Sequence, residues 1–193
     1  MMTESMRQDQ RNTLEGALYL ALYAACIPVA NWLIQHVGTA CVPNGPCLIP
    51  VAPGLSAPSG VLMIGLALVL RDLVQRRLGL GWAIGAILLG AVLSAAFSPP
   101  SLVVASVAAF LFSEFADLAV YTPLAKRGLV LAVLASSLVG LAIDSIVFLY
   151  LAFGSLDFLI GQIVGKAWMV LLALPFIRWL KARDEDLGGQ PAG

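Results

Sequence analysis

Six apolar runs divide this chain, and its basic residues fall almost entirely in alternate gaps between them. Arg7 and Arg11 precede the first run. Arg71, Arg76 and Arg77 close the second, Lys126 and Arg127 follow the fourth, and Arg178, Lys181 and Arg183 close the sixth. The gaps after the first, third and fifth runs hold no Lys or Arg. Basic loops stay on the cytoplasmic side of a membrane, so the alternation predicts about six transmembrane helices with both termini cytoplasmic. Lys166 breaks the pattern, which marks it as functional.

The runs cover about residues 14–37, 57–73, 81–97, 101–124, 128–153 and 157–180. Most are long enough to cross a bilayer core about 30 Å thick. The chain is 60% hydrophobic and only 11% charged, where a soluble domain carries nearer a quarter charged residues. The fold expected is an all-α integral membrane bundle. It has a polar leader over 1–12, one transmembrane domain over 13–183 and a polar tail over 184–193. The first run continues past Cys26 and Ala30 to full membrane length, so it reads as a retained helix and not a cleaved leader. Ala17, Ala21 and Ala25 form a small-residue stripe on it, and Gly81-x-x-x-Gly85 and Ala86-x-x-x-Gly90 invite close helix packing in the third run.

Residues 38–59 form the longest loop, rich in Pro and Gly, with Cys41 and Cys47. The two thiols pair if the loop faces an oxidising compartment and otherwise stay free. A nucleic-acid partner is not expected, because no basic groove or basic–aromatic interleaving occurs. One histidine and three cysteines without zinc spacing argue against metal chemistry. No intramembrane hydrolase or transferase pattern stands out, so the chain reads as a non-enzyme without cofactor.

Charged residues inside the runs carry the functional signal. Glu114, Asp117 and Tyr121 are spaced i, i+3, i+7, one face of a helix. Glu114 lies about 20 Å along its run, well inside a membrane. Asp144 is the one charge of the fifth run, and Gln162 and Lys166 are i, i+4 neighbours in the sixth. An intramembrane carboxylate costs about 2–3 kcal/mol or more and ordinarily marks a site. The spacing places Glu114, Asp117, Asp144 and Lys166 at similar depth. Arg71, Asp72, Gln75 and Gln162 form a second layer nearer the cytoplasm, and Tyr121 and Trp168 supply flat faces. Carboxylates and amides suit a flat heterocycle rich in donors and acceptors. A carboxylate takes two parallel N–H bonds from a guanine-type edge. On this reading Glu114 or Asp117 grips that edge, and Asp144 pairs with Lys166.

Five motifs occur in order: Ala57-Pro58-Ser59-Gly60-Val61, Arg71-Asp72-Leu73-Val74-Gln75, Ser113-Glu114-x-x-Asp117-x-x-Val120-Tyr121, Asp144-Ser145 with Ala152-Phe153-Gly154, and Gln162-x-x-Gly165-Lys166. Together they resemble the queuosine-precursor transporters, also called the putative vitamin uptake transporter family. The resemblance implies a six-helix bacterial inner-membrane transporter for 7-cyano-7-deazaguanine or 7-aminomethyl-7-deazaguanine. It also implies a fold similar to the vitamin-capture subunits of energy-coupling-factor transporters. The sequence leaves open whether the chain works alone, as a homo-oligomer or with an ATPase module.

Overall fold

The computed structural model describes residues 2–42 and 46–186. Six α-helices build it: α1 (Met2–His36), α2 (Val61–Leu78), α3 (Leu80–Phe97), α4 (Val103–Ala125), α5 (Leu129–Phe153) and α6 (Leu159–Asp186). Five of them, all but α2, are long and apolar enough to cross a membrane. This is a multi-pass, all-α membrane protein. Large apolar side chains such as Trp82, Val92, Val104, Phe112, Leu138 and Leu172 point outward, as they must where lipid replaces water.

The exception, α2, is the centre of the bundle. It carries Arg71, Asp72, Arg76 and Arg77 in 18 residues, too many charges to face lipid. The other five helices all pack against it. Leu68, Val69, Leu73 and Val74 are therefore as buried as Arg71 and Asp72. Gly65 permits the close crossing of α2 on α6: a Cβ there would collide with the backbone carbonyl of Lys166. Gly79 turns the chain directly from α2 into α3 at φ 89°, a left-handed conformation that favours glycine.

Three expectations are corrected. Residues 2–12 are not a separate leader but the first turns of α1, which at 35 residues is about 52 Å long and overshoots a bilayer. Residue 184 is no part of a loose tail, since α6 runs to Asp186 and Asp184 is buried; the rest of that tail, 187–193, lies outside the described residues. The Gly81–Gly85 pair meets no neighbour within 4 Å, and the packed face of α3 is Ala83, Ala86, Ile87 and Gly90.

The described residues of the long loop, 38–42 and 46–59, form a cap. Strands β1 (Ala40–Cys41), β2 (Cys47–Ala52) and β3 (Leu55–Pro58) form an antiparallel sheet in that order. Cys41 and Cys47 pair opposite one another and are joined by a disulfide. Proline in both β2 and β3 hides these strands from a sequence reading, because proline supplies no ladder N–H. The sheet leans on α6: Trp168 Nε1 donates to Val51 O at 2.9 Å, and Gly161 is so close to Ser56 O that no side chain fits between them.

Candidate functional site

Beneath the cap, the helices separate around an open-mouthed cavity of about 70 Å³. Phe110 of α4 and Phe148 of α5 contribute aromatic rings to the lining, and Asn31, Asp144, Gln162 and Lys166 supply its charged and amide groups. The remaining lining is mostly aliphatic, with Ile27, Ile34, Val61 and Ile64 among it.

Lys166 organises this layer. Its Nζ donates to Asp144 Oδ2 at 2.6 Å, Ser145 Oγ at 2.7 Å and Gln162 Oε1 at 2.8 Å. An ammonium has three donors and no acceptor, so all are used. The arrangement fixes Gln162 with its oxygen toward Lys166. Among the described residues Asp144 Oδ1 and Gln162 Nε2 make no hydrogen bond, which leaves one strong acceptor and one NH2 donor at the cavity.

A second polar layer lies toward the end of the bundle that carries the basic loops, and it is closed. Arg71 is wholly buried. Its Nε reaches Glu114 Oε2 at 3.2 Å and its Nη2 lies 3.1 Å from Asp72 Oδ1. Asp117 Oδ1 also contacts Nη2, and Nη1 donates to Gln75 Oε1 at 3.3 Å. The Tyr121 ring lies 5.8 Å from Arg71 Cζ, within cation–π range. Ser136 Oγ donates to Asp72 Oδ2 at 3.0 Å, and Gln75 Nε2 to Thr122 Oγ1 at 3.1 Å.

The ten residues singled out from sequence thus separate. Asp144, Gln162 and Lys166 line the cavity. Arg71, Asp72, Gln75, Glu114, Asp117 and Tyr121 form the closed layer. Glu114 and Asp117 turn onto Arg71 and are not among the residues that line the cavity. The reason is α2, which brings the guanidinium against the acidic face of α4. Trp168 is half exposed and faces the cap instead of the cavity.

The sequence reading passes over Phe110, and it weighs Phe148 as a flat face but keeps only Tyr121 and Trp168. A signal existed for each: Phe110 precedes Glu114 by four residues and Phe148 follows Asp144 by four, and helix neighbours at that spacing share a face.

A third set of charges closes the basic end. Arg77 Nε lies 2.8 Å from Glu15 Oε2, and its Nη2 lies 2.8 Å from Asp184 Oδ1. Arg76 Nη2 reaches Asp184 Oδ2 at 2.7 Å, and Arg183 Nη2 reaches Glu15 Oε1 at 2.6 Å. From sequence, Arg76 and Arg77 read as headgroup anchors; in the structure they tie α1, α2 and α6 together.

Residues 94–180 match the model of the family described as putative vitamin uptake transporter. The match begins in the last turn of α3 and takes in α4, α5 and most of α6. It therefore includes Glu114, Asp117, Asp144 and Lys166 but neither α1 nor α2. No curated protein and no solved structure matches the chain significantly.

Proposed function

We propose that this chain is a carrier of the putative vitamin uptake transporter family that takes up a queuosine precursor, 7-cyano-7-deazaguanine or its 7-aminomethyl relative, across a bacterial inner membrane. The basic end faces the cytoplasm and the capped cavity faces outward, in keeping with the positive-inside rule. The observation that carries the reading is the pairing of a free acceptor, Asp144 Oδ1, with a free donor, Gln162 Nε2, in a cavity flanked by Phe110 and Phe148.

A deazaguanine ring presents N–H donors along one edge and a carbonyl oxygen beside them. Asp144 Oδ1 accepts from that edge, Gln162 Nε2 donates to the carbonyl, and the phenylalanine rings stack on the flat faces. Lys166 holds both polar residues in register. A ligand lacking one of these groups would leave a buried partner unpaired, which gives selectivity. Glu114 and Asp117 act below, as the counter-charges that keep Arg71 in place. Transport requires no bond chemistry.

Equilibrium binding to the purified protein in detergent tests this. 7-Cyano-7-deazaguanine should bind more tightly than guanine, and Asp144→Asn should weaken binding at least tenfold. A folded protein that binds neither would overturn the ligand assignment.

A second reading is favoured by one observation: Ala17, Ala21 and Ala25 lie on the exposed face of α1. In a substrate-capture subunit that stripe would receive an ATPase module. Uptake by the isolated chain in liposomes would sink this alternative.

A further inference from the structure

We propose that Asp72 and Asp117 form a shared-proton site in the closed layer, and that the proton held there is the coupling ion of transport. The first half stands on the structure of the layer; the second rests on the carrier reading given above.

Three carboxyl groups, Asp72, Glu114 and Asp117, surround one guanidinium, and none is more than 1% exposed. With all three ionised the layer would hold two uncompensated negative charges. Burying charge in a medium of low dielectric is costly, so at least one of these groups takes a proton. The geometry indicates where. Asp72 Oδ1 of α2 and Asp117 Oδ1 of α4 meet at the same nitrogen, Arg71 Nη2, which brings the two carboxyl groups side by side. Ionised carboxylates are acceptors only. Two of them can bond to one another only when a proton sits between them, as in carboxyl dyads that share one proton.

The hydrogen bonding agrees. Among the described residues Asp117 Oδ2 is buried with no hydrogen-bond partner, and Asp72 Oδ1 has only its 3.1 Å ion contact with Arg71. On α5, Gly140 leaves room for this approach, since a Cβ there would stand 3.1 Å from Asp117 Oδ2. Among the described residues no three carboxylate, His or Cys side chains converge as metal ligands; Arg71 stands among the acids. The ion that fits is a proton.

The surroundings are defined on every side. From α2 come Arg71 and Gln75, and from α4 come Glu114 and Tyr121. From α5 comes Ser136, which donates to Asp72. From α1 comes the buried Tyr23, whose ring lies against Phe110 of α4 and whose hydroxyl has no hydrogen-bond partner among the described residues. From α6, Lys166 is engaged one layer away with Asp144. Glu114 links the layers: it is bonded to Arg71 and lies one turn along α4 from the cavity-lining Phe110. A ligand bound in the cavity therefore acts on the pair through Glu114 and Arg71.

Two measurements test this. The first is infrared difference spectroscopy of the purified protein without ligand near neutral pH, in water and in heavy water. The wild type should show the carbonyl stretch of a protonated carboxylic acid, shifted by deuterium, and Asp117→Asn should lose it. Ser136→Ala, a milder change, should move the pH midpoint of that band, which covers the case of an Asp117→Asn protein that does not fold. A folded wild type with no such band overturns the site. The second is uptake of 7-cyano-7-deazaguanine by proteoliposomes. An acidic exterior should accelerate uptake by the wild type, and Asp117→Asn should lose that acceleration while still exchanging substrate. Acceleration that survives in Asp117→Asn overturns the coupling. A wild type that moves no substrate under any gradient overturns the coupling together with the carrier reading, while the infrared band still decides the proton site.

Discussion

Lys166 Nζ lies 2.6 Å from Asp144 Oδ2, and the two residues meet because the short connection 154–158 folds α6 back against α5. Lys166 is 1% exposed and Asp144 is 8% exposed, so the lysine depends on this partner more than the aspartate does. Breaking a buried ion pair by removing one member costs about 3–5 kcal/mol, whereas replacing both members by apolar groups of like shape is often neutral. Asp144→Asn and Lys166→Met should each lower the unfolding midpoint in detergent. The double variant Asp144→Leu with Lys166→Met should recover much of that loss yet bind no ligand. Thermal unfolding and calorimetric binding on the same preparations check both outcomes.

Gly65 and Gly85 separate packing from composition. Ala at 65 would press on the backbone of Lys166, and backbone cannot rotate aside. Gly65→Ala should destabilise by about 1–3 kcal/mol, the usual range for overpacking, and should weaken ligand binding by displacing Lys166. Gly85 meets nothing within 4 Å, so Gly85→Ala should be neutral or slightly stabilising, since Ala is the better helix former. Equal effects at the two sites would contradict the packing of α2 on α6.

At the basic end, Arg77 and Lys181 make the matched comparison. Arg77 is buried and bridges Glu15 to Asp184. Arg77→Met should cost about 1–3 kcal/mol, because it strands the charged partners of a largely enclosed cluster. Lys181 forms an exposed i, i+4 pair with Glu185 at 3.5 Å. Lys181→Met should change stability by less than about 0.5 kcal/mol. Denaturation curves for the two variants give the answer directly.

The disulfide makes a count. Of the three cysteines, Cys41 and Cys47 are joined and Cys26 is a buried free thiol. Denatured but unreduced protein should take up one maleimide per chain, and reduced protein should take up three. Three labels without reductant would mean the cap is not crosslinked in the cell.

Legibility differed between the helices and the site for a physical reason. Apolar runs of membrane length identify themselves, because lipid admits little else. Basic residues at alternate ends add an expected orientation. The helical period also puts Glu114, Asp117 and Tyr121 on one face of α4, and all three are buried. Sequence could not give the partner of that face. Spacing along one helix fixes direction, but which side chains meet across helices depends on how the helices cross.

The sequence alone determined that this is a helical membrane protein with a few ionisable groups inside the bilayer, because each is a property of one segment and its solvent. Only the tertiary structure decided how those groups divide. Placing α2 at the centre gave Arg71 to Glu114 and Asp117, and left Asp144, Gln162 and Lys166 to the cavity. Folding the Pro-rich loop onto α6 drew Trp168 to Val51. Both outcomes come from contacts between residues far apart in the chain, and no local propensity or periodicity encodes them.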